Sequence, residues 1–158
     1  MTSGVDKEDF SNEEWNNLLS LPYAVSTAVI AAAPSFLGEW SESKAMMTEP
    51  GKLAASSGSE LAGLIISEMQ SRARDLIKEQ QIMMKQDQAR YRNETIQACK
   101  SAAKALLKVS PEEAIAYKKW IMAIGQKVAE AAKEHGVAVS NPEKIALNEI
   151  KTALGLGK

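Results

Sequence analysis

Ser110-Pro-Glu-Glu-Ala-Ile-Ala-Tyr-Lys-Lys-Trp-Ile-Met-Ala-Ile-Gly-Gln-Lys-Val-Ala-Glu-Ala-Ala-Lys-Glu-His-Gly136 is written as a helix from its first residue to its last. Ser110 is a good cap, Pro111 suits the first helical position, and Glu112 and Glu113 sit where the helix dipole favours negative charge. Ala114, Tyr117, Ile121, Ile124, Val128 and Ala131 follow at three- and four-residue spacing and make one buried face. The helix is expected to last to about Glu134, with Gly136 supplying the left-handed residue that terminates it.

The same signals recur outward from this segment. Ser140-Asn-Pro-Glu143 repeats the start, Leu147, Ile150 and Leu154 form an inner face, and Gly155 ends the chain's final helix. Upstream, Tyr91 or Arg92, Ile96, Cys99, Ala103 and Leu106 give another three-four pattern. Before that, Ser57 or Ser59 caps a helix carrying Leu61, Leu64, Ile65, Met69, Ala73 and Leu76, and a break or exposed stretch is expected within residues 79–88, although one long helix would also fit. Ser11-Asn-Glu-Glu14 has capping-box spacing and opens a first helix from about Asn12 to Ser20. Pro22 is expected to separate it from an apolar second helix that stops before Pro34. A third, from Pro34 or Ser35 to about Thr48, carries Phe36 or Leu37, Trp40 and Lys44 or Met47 before Glu49-Pro-Gly51 breaks it. No stretch alternates strictly. The expectation is an all-α, single-domain bundle of about six helices without a sheet, spanning 11–155 behind a flexible acidic N-terminus at 1–10.

Composition agrees with that architecture. The 158 residues are 45 % hydrophobic and 25 % charged, with only three Trp, three Tyr and two Phe, so the core is aliphatic and alanine-rich. The segment Leu18 to Gly38 is uncharged, but its central Tyr23–Ala33 stretch is too short to span a bilayer and is rich in alanine and hydroxyls; it reads as a helix buried on all sides. The single cysteine excludes an internal disulfide and the acidic start is unlike a secretory signal, so a cytoplasmic location is expected.

Charge is unevenly placed although the net value is -1. Residues 1–71 hold three Lys/Arg against ten Asp/Glu, and residues 72–127 hold twelve against six. Such asymmetry marks either an anionic partner or two parts of one bundle attracting each other. Lys100, Lys104 and Lys108 fall at i, i+4 and i+8 and form one positive line, and the four arginines, Arg72, Arg74, Arg90 and Arg92, precede it. No base-reading motif or aromatic platform accompanies these charges, so nucleic acid is not the expected partner. Met83-Met84, set among glutamines and charges, is a second candidate contact with a partner or another copy of the chain.

Enzymatic chemistry has few candidates. The one histidine, His135, reads as a cation near a helix end, and the one cysteine, Cys99, lies on an apolar face, so no catalytic residue, cofactor or metal site is expected. The leading reading is a non-enzymatic helical interaction or assembly protein, with stress response as one setting. The alternatives are a ligand-binding or enzymatic bundle whose apolar pocket is lined by Tyr23, Trp40, Tyr117 or Trp120, or weak nucleic-acid binding through the basic helix face.

Four phrases together, Leu18-Leu-Ser-Leu-Pro-Tyr-Ala-Val25 with Ala33-Pro-Ser35, Ser110 to Trp120, Lys127-Val-Ala-Glu-Ala-Ala-Lys133 and Glu143-Lys-Ile-Ala-Leu-Asn-Glu-Ile150, resemble a family of small bacterial helical proteins. The likeness covers most of the chain except residues 75–100 and implies a cytoplasmic helical domain without implying an activity. A shorter segment, His135-Gly-Val-Ala-Val-Ser140 with Glu143, is similar to the helix-loop-helix of tellurite-resistance TerB-like domains. His135 stands where that motif has an aspartate, which removes the ligand a cation would need.

Overall fold

A computed structural model describes residues 5–32, 40–131 and 141–156. Among the described residues seven α-helices fold into one bundle and there is no strand: α1 (Asn12–Ala32), α2 (Trp40–Ala55), α3 (Glu60–Met69), α4 (Ala73–Gln86), α5 (Gln88–Ala105), α6 (Pro111–Ala131) and α7 (Asn141–Ala153). Short 3-10 turns at Lys7–Asp9 and Leu106–Lys108 complete it. α1 is the axis, packed against α4, α5, α6 and α7. It is buried from Leu18 to Ile30 apart from a half-buried Ser20, as the all-apolar reading of that stretch requires.

Pro22 does not divide α1. Proline lacks the N–H that would bond the carbonyl four residues earlier, a defect that costs about 3 kcal/mol or more in a helix interior. Here that carbonyl belongs to Leu18, and the Tyr117 hydroxyl of α6 donates to it at 2.7 Å. A side chain 99 positions away thus replaces the lost backbone bond, and the expected break between two N-terminal helices is corrected to one 21-residue helix. Pro50 is likewise inside α2. The expected break at Glu49-Pro-Gly51 is corrected too, and the Pro50 carbonyl accepts the Trp120 indole N–H at 2.9 Å. The start expected for that helix, at Pro34 or Ser35, lies outside the described residues.

Chain direction changes instead at two other places. α3 ends at Met69 and α4 begins at Ala73, across a turn closed by Arg72 N–H donating to the Met69 carbonyl at 2.8 Å. No glycine or proline marks it; the turn lets Met69 on one side and Leu76 and Ile77 on the other enter the same core. Asp87 is extended between α4 and α5, and its carboxylate accepts from Arg90 N–H at 3.1 Å.

Caps were the most legible feature. Ser11 and Glu14 form the reciprocal box, with Glu14 N–H donating to Ser11 Oγ at 3.1 Å and Ser11 N–H to Glu14 Oε1 at 2.8 Å. Ser110 Oγ accepts from Glu113 N–H at 3.2 Å. At the other end Gly155, with φ of +85°, closes a Schellman turn in which Leu156 N–H bonds the Lys151 carbonyl. Gly136 and Ser140 lie outside the described residues. In the N-terminal segment Asp6 caps the Lys7–Asp9 turn, and Phe10 is buried against Trp15.

α6 is the second structural wall. Tyr117, Ile121, Ile124 and Val128 are fully buried, and Trp120 joins them edge-to-face on Tyr117 at 5.6 Å. Gly125 permits its approach to α1 and α7, because a Cβ there would lie 2.9 Å from Leu147 Cδ2 and 3.4 Å from Val25 Cγ1. Among the described residues no helix is long and apolar enough to cross a membrane.

Candidate interaction surface

The residues singled out from the sequence separate into interior and surface groups. Tyr23, Tyr117 and Trp120 are core side chains, each at most 2 % exposed. The polar atoms of Tyr117 and Trp120 are spent on the Leu18 and Pro50 carbonyls, so both rings fill space and neither faces an open pocket. The Trp40 side chain and His135 lie outside the described residues. Met83 is half-exposed, beside the exposed Ile82, but Met84 turns inward onto Ala28 and Tyr91, which corrects the expectation that both methionines are available to a partner.

Cys99 is fully buried, and burial pushes its thiol up to about 12, so it is protonated and unreactive at neutral pH. Tyr91 is buried as well, with its hydroxyl on the Gln80 side-chain oxygen. No group of three His, Cys, Asp or Glu residues is gathered for a metal among the described residues.

The lysine line ends differently from its sequence spacing. α5 stops at Ala105, and the 3-10 turn Leu106–Lys108 advances faster per residue than an α-helix. Lys100 and Lys104 remain exposed on α5, whereas Lys108 swings to α1 and holds Glu14 Oε1 at 2.6 Å. That contact, followed by the Ser11 N–H, keeps the Glu14 carboxyl below its ordinary range. One basic residue of the middle segment is thereby paired with one acidic residue of the N-terminal segment, the attraction between parts of one bundle that the charge asymmetry allowed.

The same turn builds an open groove. One wall is the start of α1, with Glu13, Glu14 and Asn17; the other is the end of α5 and the turn, with Ala98, Ser101, Lys104, Ala105, Leu107 and Lys108. Asn17 ties the walls together by donating its amide N–H to the Ala98 carbonyl at 3.0 Å. Within the turn Leu106 is driven into the core at 1 % exposure, which forces its neighbour Leu107 outward to 82 %. Leu107 is the most exposed of the large apolar side chains described. Glu13 and Lys104 have no ion-pair partner among the described residues. Sequence reasoning found Lys104 and Lys108 but missed Leu107, Glu13 and Asn17. The signal was the Leu106-Leu107 pair at a helix end, of which the three-four pattern through Ile96, Cys99 and Ala103 takes only Leu106 inward.

Comparison of the chain with known protein families, curated proteins and solved structures finds no match.

Proposed function

We propose that this chain is a non-enzymatic interaction module that presents the α1–α5 groove to another protein surface. The carrying observation is Leu107, 82 % exposed on the α5-side wall of a groove that also holds Ala98 and Ala105 and carries charge on both walls. Full burial of a leucine gains about 1.5–3 kcal/mol, and a small apolar centre inside a polar rim is the ordinary anatomy of a protein contact. Interior groups with chemical potential support the same reading, because the Cys99 thiol is buried and the Tyr117 hydroxyl holds the helix frame. A reducing, cytoplasmic setting suits an unpaired buried thiol, and the likeness to small bacterial helical proteins suits it equally. Phosphate polymers fit the groove poorly, since Glu13 and Glu14 stand opposite Lys104 and Lys108.

The test is site-specific photo-crosslinking in the cells that make the protein, with a benzophenone amino acid at position 107 and, as a control surface, at position 83. A discrete adduct from position 107, lost when competing unlabelled wild-type protein is in excess, is the expected result. Adducts from position 83 with none from position 107 would overturn the assignment of this surface.

A further inference from the structure

We infer that the occupant of the α1–α5 groove is a second copy of this chain, related to the first by a two-fold axis running along the groove. The inference rests on the reading of the groove as an interaction surface and names what fills it. Its basis is the placement of opposite charges on opposite walls: Glu13 and Glu14 on α1, Lys104 and Lys108 on the α5 side. A strongly acidic partner is repelled by the first wall and a strongly basic one by the second. A two-fold rotation about the groove direction exchanges the walls, so the acidic wall of each copy meets the basic wall of the other, and every contact is made twice. Within one copy Lys108 already satisfies Glu14. Glu13 and Lys104 lack an ion-pair partner among the described residues, and the rotation pairs Glu13 of one copy with Lys104 of the other. The same operation covers each Leu107, largely in water in the single chain, with the other copy's α1 wall, beside Glu13, Glu14 and Asn17.

Sedimentation velocity of the full chain across the micromolar to near-millimolar range tests this, with Leu107→Asp, Glu13→Lys, Lys104→Glu and the Glu13→Lys/Lys104→Glu double variant. All three positions are exposed, and far-UV circular dichroism and thermal melting establish that each variant folds. The expected result is a reversible dimer whose dissociation constant rises about tenfold or more with Leu107→Asp. Each single charge reversal is expected to weaken it by about threefold and the double reversal to restore it, with all charge effects fading in high salt. A monomer at every concentration, a dimer indifferent to Leu107→Asp, or a double reversal that fails to restore would each overturn the inference. The crosslinking experiment separates the two levels: a monomeric pure chain whose position 107 captures a different protein overturns the second copy and leaves the interaction surface standing, while no adduct of any kind removes both.

Discussion

The hydroxyl of Tyr117 does for α1 what a backbone N–H does elsewhere, and its worth can be measured against the proline that makes it necessary. Tyr117→Phe keeps the buried ring but leaves the Leu18 carbonyl without a donor inside a fully buried turn, since Pro22 has none to offer. An unsatisfied buried carbonyl costs about 1–3 kcal/mol. Pro22→Ala returns the N–H, so in that background Tyr117→Phe should cost about 1 kcal/mol less than it does alone. Urea unfolding of the wild type, both single variants and the double variant reads this coupling directly. Additive losses would mean that Tyr117 contributes only its packing.

At the scale of elements, α3 and α6 are joined end to end by one carboxylate. Glu113, in the first turn of α6, accepts from Glu60 N–H at 3.1 Å, Leu61 N–H at 3.1 Å and the Ser59 hydroxyl. It thus caps a helix that begins 53 residues earlier in addition to its own first turn. Ser59 Oγ in turn accepts from Ala62 N–H at 2.9 Å. Glu113→Ala removes the acceptor for two of the four free N–H groups of α3, and a loss of about 1–2 kcal/mol is expected. Amide exchange at Glu60 and Leu61 should accelerate while that at Ile121 and Ile124 falls only by the global loss. Unchanged exchange at the α3 start would show that Ser59 alone suffices. Local caps of this kind explain what was legible. Ser11, Ser59 and Ser110 each bond within three residues, so sequence alone placed Ser11 and Ser110 and narrowed the third cap to Ser57 or Ser59. The continuity of α1 through Pro22 was not legible, because the compensating group, Tyr117, lies 95 positions away; that of α2 through Pro50 was not legible either, and its tie to α6, the Trp120 bond to the Pro50 carbonyl, spans 70 positions. The α3–α4 turn was hidden for a related reason, as both flanks keep apolar spacing and only the shape of the core redirects the chain.

For the whole molecule, the sequence showed where charge was concentrated but not which charges meet. The lysine line was visible at Lys100, Lys104 and Lys108, yet its last member joins Glu14 only because α5 ends one residue before the turn that exposes Leu107. The site therefore depended on a helix boundary, the feature periodicity locates least well. A property of the entire core is more predictable. Cys99, Tyr23, Tyr91 and Tyr117 are weak acids enclosed in apolar surroundings, and burial raises each above its ordinary value, which is 9.0 for the thiol and 10.0 for the phenols. The folded chain holds these protons more tightly than the unfolded chain. Their contribution is therefore fully present below about pH 9 and is lost as pH rises, because the unfolded state is the first to ionise. Each proton by which the two states differ lowers stability by roughly 1.4 kcal/mol per pH unit. Urea midpoints should hold steady from pH 7 to about 8.5 and then fall with growing steepness toward pH 11, as first the thiol and then the phenols ionise in the unfolded chain. Cys99→Ala lowers overall stability by opening a small cavity, but it removes one of the titrating groups, so its midpoint should decline less steeply between about pH 9 and 10. A wild-type midpoint that stays flat to pH 11, or a thiol in the native protein that reacts with aromatic disulfides at the rate of a free cysteine at pH 8, would show that the core admits water.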